Sequence, residues 1–305
     1  MKRKILNLVM LVVVIVLAVG VYLATQKKAK PPKPPLTALN SATIDAISIK
    51  NPGHKTLALK RKDGQWKITS PFKAVANNAN VNSILSVATS ACQSEIKPAE
   101  VTLSKLGLKP PKYSILFNKT RVDVGMVEPL KYRRYAMVGD KICLISNPSA
   151  PGLGSQSYAN LVSTALVPPG KTLVKIEIPG YTASLDNSSG KWSLTPTAPK
   201  AAKDAANILA TAWKNTHAMW NATTPANTKP PDNTHSATLH FKDGSSEQFL
   251  VVARKPQLKL RRSDIGIDFT VSKAKADKLL QLATPKPAPG SSTSTPAAAA
   301  SAAAD

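Results

Sequence analysis

The chain has 305 residues, 43% of them hydrophobic and only 5% aromatic, with 41 Lys and Arg against 17 Asp and Glu for a formal net charge of +24. With the seven basic residues before Leu36, Lys286 and Asp305 set aside, about +17 remains, so the charge belongs to the folded part and would draw it to polyanions such as lipid headgroups, wall polymers or nucleic acid. With so few aromatics, and no basic stretch such as 254–262 interleaved with exposed-looking rings, specific nucleic-acid recognition ranks below membrane or wall contact; a generally basic soluble surface accounts for the same charge with no ligand at all.

Residues 5–24 are apolar apart from Asn7, and twenty residues of helix span about 30 Å, the thickness of a bilayer's hydrocarbon. A soluble helix of this length would show a polar stripe, which 11–17 lacks, so a transmembrane anchor over 1–25 is expected, with the lipid bilayer as its partner through 5–24. The rival is a cleaved signal, with Met1 to Lys4 as the basic region and Ala18 and Gly20 at cleavage spacing; that site lies inside the apolar run, which favours retention. Lysines flank both ends of the run, so charge does not orient it. A short tail ahead of a long domain places the N-terminus in the cytoplasm and the bulk of the chain in the periplasm. Residues 26–36, rich in Lys and Pro, are expected to form a stiff extended spacer.

The folded part then says one thing twice. Ile47-Ser48-Ile49-Lys50-Asn51-Pro52-Gly53 with Gly64-Gln65-Trp66-Lys67-Ile68 returns as Ile176-Glu177-Ile178-Pro179-Gly180 with Gly190-Lys191-Trp192-Ser193-Leu194, an offset of 129 residues at the isoleucine and 126 at the tryptophan. In the first copy (37–168), alternation predicts strands over 43–50, 55–60 and 65–69, with Asp63-Gly64 as a hairpin turn. Val81, Ile84, Leu85 and Ala88 predict a helix over 80–92 behind Asn78 or Asn80 as cap. Pro110-Pro111 breaks the chain before strands at 113–117, 121–126, 132–138 and 141–145.

The second copy (169–283) repeats the order, with strands at 173–178, 182–186 and 191–195, a helix over 201–213, and strands at 237–241, 247–252, 257–261 and 267–271. A short helix over 273–282 is matched to 156–166 of the first copy. Strands joined by hairpins around few helices predict an α+β fold of two tandem related domains, each a largely antiparallel sheet packed with one or two helices. Residues 284–305, Pro, Ser, Thr and Ala, are expected to be a disordered tail.

Little here carries chemistry. Trp66 and Trp192 sit at equivalent strand positions and are assigned to the structural core rather than to ligand stacking. His54, His217, His235 and His240 show no metal-ligand spacing, and His240 reads as solvent-facing. Gly152-Leu153-Gly154-Ser155-Gln156-Ser157 lacks the flanks of a phosphate loop or serine elbow and reads as a linker with Ser155 or Ser157 as a helix cap. Asp264 and Asp268 beside Arg261 and Arg262 read as surface ion pairs. Cys92 and Cys143 admit either a disulfide in an oxidising compartment or two buried thiols. No catalytic, cofactor-binding or metal residue is assigned.

The Ile-x-Ile strand with Pro-Gly, the segment Asp63-Gly64-Gln65-Trp66-Lys67-Ile68-Thr69-Ser70-Pro71, the element Leu103-Ser104-Lys105-Leu106-Gly107-Leu108-Lys109-Pro110 and the closing hairpin over 135–146 together resemble bacterial proteins carrying domain of unknown function 4340. The resemblance covers most of the first copy and, more faintly, the second, which lacks a clear Leu-Gly-Leu-x-x-Pro element. It implies anchoring in the bacterial inner membrane and, for some relatives, association with ABC-type transporter components of gliding-motility systems; it implies no catalytic residues. The expectation is a non-enzymatic, membrane-anchored envelope protein that binds an envelope or inner-membrane protein, without a cofactor. An electrostatic binder of anionic polymer or lipid surface is the alternative, and an envelope hydrolase the third.

Overall fold

A computed structural model describes residues 2–25, 32–154, 157–225, 228–229 and 235–285. The fold is α+β, with two large antiparallel sheets and few helices. Helix α1 covers Lys2–Thr25, and the apolar side chains described between Ile5 and Val19 are 50 to 68% exposed. Side chains 1–4, 6 and 23–25 lie outside the described set, and among the described residues no helix is long and apolar enough to cross a membrane.

The first sheet is built from β1 (Ala46–Lys50), β2 (Leu57–Lys62), β3 (Gln65–Ser70), β4 (Ala74–Val75), β5 (Ser94–Ile96), β6 (Tyr113–Phe117), β7 (Thr120–Val127), β8 (Arg134–Val138) and β9 (Lys141–Ile145), with α2 (Asn78–Ala88) crossing one face. Its order is β4-β3-β2-β1-β6-β7-β8-β9-β5. The second comprises β10 (Leu173–Ile178), β11 (Tyr181–Leu185), β12 (Trp192–Thr195), β13 (Trp220–Thr223), β14 (Ser236–Phe241), β15 (Ser246–Ala253), β16 (Leu258–Arg262) and β17 (Ile267–Val271), with α3 (Ala205–Lys214) and α4 (Lys273–Leu280). Its order, β12-β11-β10-β14-β15-β16-β17-β13, repeats the first strand for strand, β4 alone having no counterpart. In both, the strand that follows the crossing helix pairs with the last strand of the hairpin series.

Alternation sets the register. Ile47 and Ile49 of β1 are buried and stand opposite Leu59 and Leu57 of β2 and Phe117 and Ile115 of β6, so one apolar face meets α2 through Val81, Ile84 and Leu85. The α2 cap is Asn77, one residue before the nearer of the expected positions Asn78 and Asn80: its Oδ1 accepts from the Ala79 and Asn80 amides, whereas Asn78 Oδ1 accepts from Trp66 N. The expected helix over 156–166 is a three-residue 3-10 turn, Ala159–Leu161, with residues 155–156 outside the described set. The stretch after it is extended because it serves both sheets: Ser163 N donates to Val75 O, while Ala218 N donates to Thr164 O and Asn221 Nδ2 to Val162 O. One apolar core therefore runs through both halves.

The spacer expected over 26–36 ends earlier. Cys92 N donates to Pro34 O, Leu36 N to Ser90 O, and Leu36 is only 2% exposed, so the chain is docked on the first sheet from there on. Residues 26–31, and 286–305 of the expected tail, lie outside the described residues.

Trp66 is buried at 2% exposure, as expected of the core. Trp192 is only partly buried and packs against the core's margin. The reason is topological: β3 is covered by β4 and its lead-in, Ala76 N donating to Trp66 O, whereas β12 is a bare edge. In the second half Trp213 fills the interior instead, fully buried, with Nε1 donating to Leu279 O of α4 at 3.0 Å.

Candidate functional site

Five strand ends converge at one end of the first sheet: the ends of β1, β7 and β9 and the starts of β6 and β8. The loops leaving them, 51–54, 110–112 and 147–154, enclose a cleft of about 790 Å³. A second hollow of about 410 Å³ adjoins it and shares Asn51, His54 and Gly154. One wall depends on close backbone approach, since 103–108 lies against the β7 bulge between Val124 and Val127, where Met126 N donates to Leu106 O. A Cβ on Gly125 would stand 2.3 Å from Leu106 O, and one on Gly107 would stand 2.6 Å from Met126 Cγ, so both positions require glycine. The Leu-Gly-Leu-x-x-Pro element thus has a packing reason.

Arg134 is the fixed cation of the cleft. Its Nε donates to Asn147 Oδ1 at 2.7 Å and its NH1 to Gly125 O at 2.9 Å, and the guanidinium lies 5.8 Å from the centre of the Tyr113 ring. Burial pushes the Tyr113 phenol up to about 12, against the opposing pull of Arg134, so it remains a hydroxyl donor at neutral pH. Asn51 Nδ2 donates to Gly152 O at 2.9 Å, leaving a buried Oδ1 without a partner among the described residues. Lys112, His54 and Ser149 add to the polar lining, and among the described residues neither hollow is lined by Asp or Glu. This is a positive, proline-walled recess equipped to bind carboxylate or phosphate oxygens. Tyr113 is held protonated at neutral pH, which disfavours it as a general base.

The other candidates are dispersed. Cys92 and Cys143 form a disulfide, Cα to Cα 5.3 Å, tying the segment after α2 to β9. The Asp264 and Asp268 cluster is not a set of surface pairs. Arg261 and Arg262 are 5% and 8% exposed on β16, with Arg261 NH1 also donating to Thr228 O, although the Asp264 side chain itself is 57% exposed. Arg261 is held bidentately by Asp268, and Arg262 by Asp264 and Glu247 with Phe249 beneath it. His240 is half-buried rather than solvent-facing, 3.4 Å from Glu177. His54 lines the cleft, and His217 bridges Ala165 in the connector. Among the described residues no group of three or more His, Cys, Asp or Glu could hold a metal ion. Ser157 Oγ accepts from Ala159 N at the 3-10 turn, a structural role.

Asn51, Tyr113 and Arg134 were not singled out by sequence. The available signals were weak: an Asn ahead of Pro-Gly, a Tyr after Pro-Pro, and the basic run ending in Arg134. No family model, curated protein or solved structure matches this chain.

Proposed function

We propose that this is a non-enzymatic, membrane-anchored protein of the bacterial envelope whose two sheet domains, related by duplication, lie in the periplasm and bind a protein partner. The observation that carries the reading is the Cys92–Cys143 disulfide, since such bonds persist in exported proteins and are rare in the cytosol. Two further features support it. The apolar side chains of α1 are more than half exposed, an arrangement that calls for lipid or a partner around them, and the run 5–24 has the length of a bilayer span. The repeated strand order leaves two versions of one scaffold, which suits adhesion to a partner better than it suits a single reaction centre. By resemblance to the 4340 domain proteins, the partner is a component of an inner-membrane assembly such as a transporter.

Reporter fusions and crosslinking test this together. A C-terminal alkaline phosphatase should be active and a C-terminal green fluorescent protein dark, and amine-reactive crosslinking in intact cells should recover membrane or envelope proteins. A fluorescent cytoplasmic reporter overturns the topology. The carboxylate-free cleft favours one second reading, an electrostatic binder of anionic polymer or lipid. Such binding collapses between about 50 and 200 mM salt, whereas a packed protein interface persists.

A further inference from the structure

Residues 128–133 take six positions to join β7 to β8, where the corresponding turn of the second sheet, 254–257, takes four. The longer loop is folded around Glu128, itself 7% exposed. Its Oε2 accepts from Lys131 N at 3.1 Å and Arg133 Nε at 3.3 Å, and Glu128 N donates to Arg133 O at 2.6 Å. Burial pushes this carboxyl up, but the hydrogen bonds and the Arg133 charge more than reverse that and hold it below the usual carboxylate range.

With Glu128 and Arg133 paired beneath it, the loop displays Lys131 and its apolar side chains. Leu130 is 87% exposed and Tyr132 75%, with Met126, 40% exposed, at the foot of the loop. Tyr132 has a φ of 52°, a left-handed conformation that a bulky residue holds only where its surroundings impose it, and such positions gather at functional sites. The short turn of the second sheet, Arg254-Lys255-Pro256-Gln257, has no such side chains.

The tip continues directly into the cleft, because Met126 and Val127 line the cleft and Glu128 follows them. Both lie at the end of the sheet away from the β8 to β9 turn, where Lys141 Nζ donates to Pro35 O as the chain arrives from α1. We propose that tip and cleft form one docking surface for an extended, carboxylate-bearing segment of a partner protein, Leu130 and Tyr132 serving as apolar anchors and Lys112 and Arg134 receiving the acids. This rests on the partner-binding reading above and specifies its site. Charge complementarity selects the occupant: the cleft presents Lys112 and Arg134 with no carboxylate among the described lining residues, and Lys131 sits between the two anchors. A second copy of a chain of net charge +24 is repelled from such a surface. An exposed tyrosine beside an arginine-bearing cleft supplies the residue types enriched at interface hot spots.

The test is site-specific photocrosslinking of the full chain in intact cells, with benzoylphenylalanine replacing Tyr132 and, as control, Lys119 on the opposite turn. The expected result is an adduct from position 132, at least about tenfold above the control, whose crosslinked peptide carries Asp or Glu beside the attachment point. Lys112→Glu in the same background should cut that yield about tenfold, as the loss of a hot-spot contact does, with an unchanged melting temperature. Lipid adducts alone, adducts to this chain itself, or a partner peptide without carboxylates overturn the proposal. So does an empty position 132 when amine-reactive crosslinking still recovers neighbours, a result that leaves the broader reading standing.

Discussion

Removing the disulfide is the perturbation whose size follows most directly from the structure. Cys92 and Cys143 are 51 residues apart in sequence, and closing a loop of that length in the unfolded chain is worth roughly 4 kcal/mol at 25 °C in the chain-entropy treatment. Both sulfurs are buried, at 4% and 0% residue exposure, so replacement by alanine adds a small packing loss on top. The expected cost of Cys92→Ala/Cys143→Ala is therefore about 3 to 5 kcal/mol, and it falls on the first sheet. Hydrogen exchange of the full chain in detergent resolves it: amides of α2 and β9 should open roughly a thousandfold more readily, while those of β10 and β14 change far less. Reductant should reproduce the effect in the unmodified protein. A loss below about 1 kcal/mol refutes the loop-closure argument, and two thiols that react in denaturant without reductant refute the bond itself.

Trp66→Ala should cost roughly 3 to 5 kcal/mol, and Trp192→Ala, at the uncovered edge, no more than about half of that; equal shifts in melting temperature would contradict the edge argument. Asp268→Asn strips Arg261 of its bidentate partner in a nearly closed site and should cost about 3 to 5 kcal/mol, whereas Asp264→Asn, whose side chain is 57% exposed, should cost less than about 1 kcal/mol in the same denaturant titration. Acid sensitivity should come partly from two turns. Hydrogen bonds from the Ser188 hydroxyl and amide, then Ser189, hold the Asp186 carboxyl down at about 2, and Lys171 with Ser245 holds Asp243 well below the usual range. Each is ionised in the fold where the unfolded chain has taken up a proton, so stability is present above about pH 4 and is lost as the pH falls toward 2. The melting temperature should drop through that window, and Asp186→Asn/Asp243→Asn should flatten the drop; an unchanged slope counts against the assignment.

What could be read from the sequence was whatever repeats with a short period. Hairpin strands such as β6 and β10 announce themselves because one face is apolar and the other wetter. The strands that escaped, β4, β5 and β13, are two to four residues long and lie at or beside sheet edges, too short for any period. The cluster around Arg261 misled for a different reason. Charge in sequence implies exposure, but β16 is an inner strand, so its arginines needed buried partners, and Asp268 stands directly across the ladder from Arg261. The expected helix over 156–166 failed because that stretch hydrogen-bonds to both sheets, a demand no local pattern records. The cleft was the least legible part: Asn51, Tyr113 and Arg134 are 21 to 83 positions apart and meet only because five strand ends coincide.

The comparison between the two copies then locates function by subtraction. Positions they share, the Ile-x-Ile strand, the hairpin glycine and the strand order, are those without which the sheet does not form. Positions they do not share are the disulfide, the Leu-Gly-Leu-x-x-Pro element packed against Gly125, and the six-residue tip over Glu128, all in the first copy. The last two meet at one end of one sheet and build the cleft and its apolar rim, while the second copy devotes its own peculiarities, Trp213 against α4 and the buried arginines, to its interior. A duplicated scaffold with one end elaborated and the other half turned inward fits the proposal that the first copy binds a partner and the second supports it. That division predicts an asymmetry: substitutions at exposed positions 129–132 should change binding without changing stability, whereas their counterparts at 254–257 should change neither.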